Sequence, residues 1–262
     1  MQAKVTTRPL SESDLPEAKR IFHLAFGTFL GLTNPMEFCA DRNYVRTRYL
    51  VDPSAAFSAE ADDELVGSNF VTNWGSVGFF GPLTIRPDYW ERGIAKRLLE
   101  PTMEVFEKWG TKHAGLFTFA HSAKHVGLYQ KFGFWPRFLT AVMSVDVRST
   151  GDVHGWRRYS ELSEAQRGEC LCAAAELTNT IYDGLDVRPE IQAIGAQGFG
   201  DTVLLSDNSS LAGLALCHCG ANTEAGTDTC YIKFAAVRPG QTHRNYSTAF
   251  WIVAIRLRAR AN

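Results

Sequence analysis

The stretch TIRPDYWERGIAKRLLEPTMEVFEKWG, residues 84–110, places a bare glycine, Gly93, where a helix of apolar periodicity begins. The first N–H groups of a helix lack partners within it and sit at the positive end of its dipole. A residue that takes no room there lets an anion, above all a diphosphate, come close to the main chain. Glycine near a helix start is also common for its own sake, and the segment is neither a Walker loop nor G-x-G-x-x-G. Ala95 fills the second small position and the next glycine is Gly110, so ATP and NAD are disfavoured. Downstream, SAKHVGLYQKFGFWPR puts Tyr129 on a short helix just ahead of a Phe132-Gly133-Phe134 turn. A phenol, with an ordinary pKa of about 10, stays protonated at neutral pH. Taken alone, Tyr129 reads as a core aromatic with a wetted hydroxyl.

The elements that must hold these residues follow from the pattern of the chain. KVTTRPL reads as a first strand, SESDLPEAKRIFHLAFGTFLG as a helix with a Ser/Asp start signal, and NPMEFCADRNYVRTRYL as a second helix. AAFSAEADDELVGSNFVTNWGSV alternates about Asp62 and Asp63 and predicts a hairpin, with FFGPLTIRP as the third strand of that meander. After the helix that starts near Gly93, HAGLFTFA predicts a buried strand. SAKHVGLYQKFG predicts a helix capped by Ser122, and FLTAVMSVDV a final strand. Pro101 lies inside the Gly93 helix, removes an N–H that would bond to Arg97, and is expected to kink it or to begin a new segment. The order predicts an α/β fold, a mixed sheet with helices on its faces.

Past a polar, glycine-bearing turn near Thr150–His154 the pattern starts again. GWRRYSELSEAQRGECLCAAAELTNTIY repeats strand and capped helix, TVLLSDNSSLAGLALCHCG repeats the hairpin, and CYIKFAAVRPG repeats the strand that ends in Arg-Pro. ELVG matches SLAG, and TIRP matches AVRP, which points to an internal duplication. Beyond Pro239 too few residues remain to complete the second copy. We expect a complete unit over 1–150 and an incomplete second one over 151–262. From Lys233 onward the only charges are basic: Lys233, Arg238, Arg244, Arg256, Arg258 and Arg260. A basic helix serving an interface or nucleic acid is one reading; an altered end whose charge has no role is the one we favour.

Composition narrows the setting. The 262 residues are 45% hydrophobic and 21% charged, enough for one large or two modest cores. A formal net charge of -1 gives no global reason to expect nucleic acid or a membrane surface as partner. The opening residues lack the apolar core of a secretory signal, and no apolar run nears the roughly 18 residues that span a bilayer, so a cytoplasmic protein is expected. Two C-x-C pairs, Cys170/Cys172 and Cys217/Cys219 with His218 between, raise the question of zinc. Residues two apart on a helix do not face each other and no C-x-x-C occurs, so free thiols packed as small hydrophobes in a reducing compartment are expected, and no metal.

Taken together, LTIRPDYWERGIA and LYQKFGF resemble the GNAT superfamily of acyl-CoA-dependent N-acetyltransferases, over roughly residues 4–148. The resemblance implies a GNAT-like, largely antiparallel sheet flanked by helices, here partly duplicated, with acetyl-CoA as co-substrate and a primary amine of a small molecule or peptide as acceptor. It implies that the main chain of Leu83, Thr84 and Ile85 pairs with the pantetheine arm. Glu91, Arg92, Gly93, Ile94, Ala95 and Lys96 would wrap the pyrophosphate, and Tyr129 would protonate the leaving thiolate. Trp90 stands where the first motif residue is usually Gln or Arg. Ser122, placed among the cofactor-binding positions, stands where many members carry Asn. Both departures alter contacts in a site held mainly by backbone N–H groups. The residues do not identify a general base: Glu60, Glu64 and His121 lie near strand ends, where solvated surface groups are ordinary. Phe26, Phe29, Asn73 and Trp74 are expected either to line a partly apolar acceptor side or to pack between the two units. One acetyl-CoA per chain is expected, or two in a homodimer whose partner supplies the missing loop. A non-catalytic acyl-CoA sensor or interaction module is the alternative, with Trp90 and the broken repeat in its favour.

Overall fold

The computed structural model describes residues 4–146, 155–207 and 210–238. The chain opens with β1 (Val5–Pro9), α1 (Leu15–Phe29) and α2 (Tyr44–Val51). The meander β2 (Ala56–Ala61), β3 (Glu64–Trp74) and β4 (Val77–Phe80) follows, then β5 (Thr84–Ile85), α3 (Ile94–Trp109), β6 (His113–Gly115) and α4 (Ala123–Gln130). The sheet runs β1-β2-β3-β4-β6, with β5 also on β3, and every pairing is antiparallel except β4–β6. Asp62 and Asp63 both take left-handed φ, 51° and 65°, as a two-residue hairpin turn requires. Helix α3 turns Ile94, Leu98, Leu99, Thr102 and Phe106 inward, the stripe of a helix lying on a sheet.

Several sequence expectations change. FFGPLTIRP is two strands, not one: Gly81 N still donates to Phe70 O, but Pro82 has no N–H to give and pairing with β3 resumes only at Thr84. HAGLFTFA forms only the three-residue β6, and Phe117 is exposed rather than buried. Over its described residues, 138–146, FLTAVMSVDV forms no strand: Phe138, Leu139 and Val142 stand in solvent, because alternation makes a strand only where a neighbour takes its N–H and C=O groups. Pro101 starts no new segment, and α3 runs unbroken from Ile94 to Trp109. Beside it Thr102 Oγ1 donates to Leu98 O (2.8 Å) and accepts from Asn69 Nδ2 (2.8 Å), tying this turn to β3.

The second half holds β7 (Trp156–Arg158), α5 (Glu164–Ile181), α6 (Arg188–Gln197), β8 (Gly200–Asp207), β9 (Ser210–Gly220) and β10 (Gly226–Val237). Its antiparallel sheet runs β10-β9-β8-β7, the order of β4-β3-β2-β1, and α6 supplies a second helix that the sequence reading missed. The turn near Thr150–His154 and the basic stretch beyond Arg238 lie outside the described residues.

The halves share one core. Trp74, Val77 and Phe79 pack with Leu177, Leu185, Val187 and Ile191. Gly75 bridges Leu185, and a Cβ on it would sit 2.2 Å from Gly184 O, so the two backbones meet only because Gly75 has no side chain. Beside this seam lies a buried ionic network. Glu224 meets Arg48 Nε (2.7 Å) and Lys233 Nζ (2.9 Å), Lys233 also reaches Glu190 (2.6 Å), and Trp74 Nε1 donates to Glu190 (3.2 Å). The pairing skips Lys233 between Ile232 and Phe234, a bulge that turns its ammonium inward.

Candidate functional site

Strand β4 touches β6 only over Val77–Phe79, and after Gly81 the chain moves to β3 as β5 while β6 ends at Gly115. The two strands part, and among the described strands β5 pairs with β3 alone. Arg86 N donates to Val66 O (2.8 Å), so by alternation Thr84 faces β3 while Leu83 and Ile85 turn their main-chain groups to the open edge. One of those groups is already committed: Trp90 Nε1 donates to Ile85 O (2.7 Å). Trp90, the departure from the family motif, thus anchors the following loop to the strand end.

The loop is built from two left-handed residues, Glu91 (φ 66°) and Gly93 (φ 75°), which caps α3. A Cβ on Gly93 would meet nothing within 4 Å; glycine serves the backbone angle and leaves open space before the helix. Lys96 N bonds to Gly93 O (3.2 Å), and the N–H groups of Ile94 and Ala95 have no acceptor within the helix. Ile94 and Thr84 are buried, so only their main chains are available to a ligand. Arg92 lies over the Tyr89 ring at 4.6 Å, and Arg92 and Lys96 are exposed. Lys124 of α4 reaches Glu91 Oε1 (3.0 Å), a tie the sequence reading did not foresee.

Helix α4 joins the loop to the wedge. Ser122 Oγ caps it by accepting from His125 N (3.5 Å), so this hydroxyl holds the helix start. Tyr129 packs edge-on to Phe80 (5.7 Å) in one apolar cluster with Leu83 and Leu99. Burial pushes the Tyr129 phenol up to about 12. One turn earlier on the same face, His125 lies 4.9 Å from the Phe29 ring and its buried Nδ1 has no hydrogen-bond partner. Burial, then the nearby Lys124 and His121, lower its pKa, so it is neutral at pH 7. The i, i+4 spacing of His125 and Tyr129 was the signal in SAKHVGLYQ that the sequence reading passed over.

The other named residues divide. Glu60 is bound by Arg8 Nε (2.9 Å) and Glu64 by Arg86 (2.9 Å), while His121 stacks on Phe29 (6.0 Å). Phe26 and Phe29 join an aromatic group with Phe119. Trp74 lies in the seam between the halves, and Asn73 Oδ1 accepts from Gly75 N (2.8 Å) to close the β3–β4 turn. Among the described residues no group of three or more His, Cys, Asp or Glu side chains is placed to hold a metal ion, and no helix is long and apolar enough to cross a membrane.

Comparison with known proteins bears on this wedge. Residues 20–134 match the Acetyltransferase (GNAT) family. The match spans β3, the Gly93 loop, α3 and α4, and stops at Phe134. Among solved structures, a GCN5-related N-acetyltransferase from Sphaerobacter thermophilus aligns over 98% of this chain and 83% of its own, with a TM-score of 0.58 at 13% identity. A Pyrococcus horikoshii protein described as a provisional acetyltransferase covers 84% of this chain and 69% of its own, with a TM-score of 0.57 at 17% identity. A GCN5-related N-acetyltransferase from Kribbella flavida gives 0.51 at 12% identity, over 97% of this chain and 61% of its own. Among curated protein sequences none matches. The fold is GNAT-like, and the likeness reaches across both sheets.

Proposed function

We propose that the chain transfers an acetyl group from acetyl-CoA to a primary amine of a small molecule or peptide, by direct attack in a ternary complex. The observation that carries this reading is the meeting of three features at one wedge. They are the exposed, left-handed Gly93 ahead of α3, the open edge at Leu83 and Ile85, and Tyr129 packed against the same apolar cluster as Leu83. The main chain of residues 91–96 wraps the pyrophosphate, with Arg92 and Lys96 adding charge. The pantetheine arm pairs with Leu83 and the Ile85 N–H, since Trp90 holds the Ile85 carbonyl.

In the reaction the amine nitrogen attacks the thioester carbonyl, and main-chain N–H groups at the wedge stabilise the oxyanion. The C–S bond then breaks and the thiolate leaves. A Tyr129 proton held as firmly as a pKa of about 12 implies is shared with that thiolate as a strong hydrogen bond, full transfer coming as water re-enters. Neutral His125, on the same face of α4, takes the proton that the acceptor ammonium must lose. The second half is a copy of the opening elements of the first. Supporting this are its repeated element order and the matched eleven-residue strands β3 and β9, which begin ELVG and SLAG. One acetyl-CoA binds per chain.

The test is release of free thiol from acetyl-CoA against a panel of primary amines. Amine-dependent release supports transfer and ranks the acceptors; tight binding with no release from any amine replaces the enzyme with a sensor.

A further inference from the structure

Three of the six cysteines meet on one face of the second sheet, away from the wedge. Cys217 and Cys219 alternate along β9 on the face that packs Val203 and Leu205 into a cluster of its own, while Cys230 of β10 stands opposite Cys219 in register. Cys230 lies beside both Cys219 and Cys217 in that cluster, and all three thiols are free. Cys219 N donates to Phe199 O (2.8 Å), across the edge away from β10. Its main-chain groups therefore point away from β10, and Cys219/Cys230 is a non-hydrogen-bonded cross-strand pair. Such pairs have the closest Cα approach in an antiparallel sheet, about 4.5 Å, inside the roughly 4.4–6.8 Å range of disulfides. Cys217 instead faces Ile232 and is fully buried, whereas Cys219 and Cys230 are half-buried and open to a small reagent.

The segment between them does more than turn the chain. Thr223 O accepts from Asn43 N (2.9 Å), Asn222 N donates to Asp41 O (2.8 Å), and Glu224 holds Arg48 of α2. The Cys219–Cys230 stem is thus the base of the loop that grips the start of α2.

We propose that Cys219 and Cys230 are a modification site, a thiol pair that closes reversibly to a disulfide under a small-molecule disulfide oxidant and staples the loop that holds α2. One cysteine thiolate attacks the oxidant's sulfur and expels a thiolate, leaving a mixed disulfide. The second cysteine then attacks the first, expelling the other thiolate. An S–S bond forms, both cysteines lose their protons, and the oxidant takes up two electrons to become two thiols. The neighbouring sulfurs and burial hold both thiols above their ordinary pKa, so little of either is thiolate at neutral pH and the pair closes slowly, under sustained oxidant.

The test uses the full chain with excess oxidised glutathione, followed by digestion without reduction and mass mapping. The expected product is a cross-linked peptide pair joining Cys219 to Cys230, about 2 Da lighter than its parts. It reverts with dithiothreitol, persists in Cys217→Ser and is lost in Cys230→Ser. Hydrogen exchange at Asn43 slows in the oxidised protein. Glutathione adducts on Cys172 and Cys39 with no cross-link overturn the proposal, and so does a bond from Cys230 to Cys217. Unchanged exchange at Asn43 overturns the stapling of α2. The mapping reads the wild-type chain directly, so it stands even if a variant fails to fold.

Discussion

At the scale of single residues, two side chains on one face of α4 carry the proposed chemistry. Tyr129→Phe removes the proton donor but leaves the apolar cluster filled, so kcat falls by about a hundredfold or more while acetyl-CoA affinity changes little; steady-state kinetics beside a binding titration separate the two. Because burial lifts the phenol to about 12, it stays protonated across the working range, and no alkaline loss of rate below about pH 11 belongs to it. His125 works from the other side: its pKa is lowered, so it is the neutral base above its titration and is lost to protonation as the pH falls. His125→Gln is expected to cut kcat/KM by about a hundredfold and to erase the acidic limb of the pH–rate profile. An acidic limb that survives intact assigns the base elsewhere.

At the scale of elements, the wedge depends on a loop pinned at both ends, by Trp90 to Ile85 and by Glu91 to Lys124. Trp90→Phe keeps the ring and loses the hydrogen bond, net about 0.5–1.5 kcal/mol, so acetyl-CoA binding weakens by roughly two- to tenfold with kcat near wild type. Much of this was legible in the sequence because it is local: Gly93 at the helix start, the Asp62-Asp63 turn and the Ser122 cap each follow from backbone demands within a few residues. What escaped depends on partners distant along the chain. Nothing in DYWERG marks Glu91 as left-handed or pairs it with Lys124. The alternation of FLTAVMSVDV reads like that of a strand, though no described neighbour pairs with it. His125 is marked in the sequence only by its i, i+4 spacing to Tyr129, and its burial depends on Phe29, far along the chain.

At the scale of the whole molecule, buried charge joins the second half to the first beside their apolar seam. Arg48 of α2 and Trp74 of β3 reach Glu224 and Glu190, which Lys233 bridges, so removing one partner strands another charge in the interior. None of these pairings was readable from sequence, since their members lie far apart and each alone resembles a surface charge. The same network predicts acid sensitivity. His218 is fully buried, accepts from Glu224 N through Nδ1 (3.4 Å), and is lowered to about 4, chiefly by burial. An unfolded histidine binds its proton below about 6.5, so this contribution is whole above that pH and fades as pH falls toward 4. Urea unfolding is expected to show about 2 kcal/mol lost from pH 7 to pH 5, a slope that His218→Gln removes. The measurement that reaches the account's centre most directly is calorimetric titration of acetyl-CoA into the wild-type chain and Gly93→Glu. One site per chain, lost when a side chain and its charge fill the space before α3, is the predicted result. Binding that survives Gly93→Glu unchanged, two sites per chain, or no binding to the wild type contradicts it.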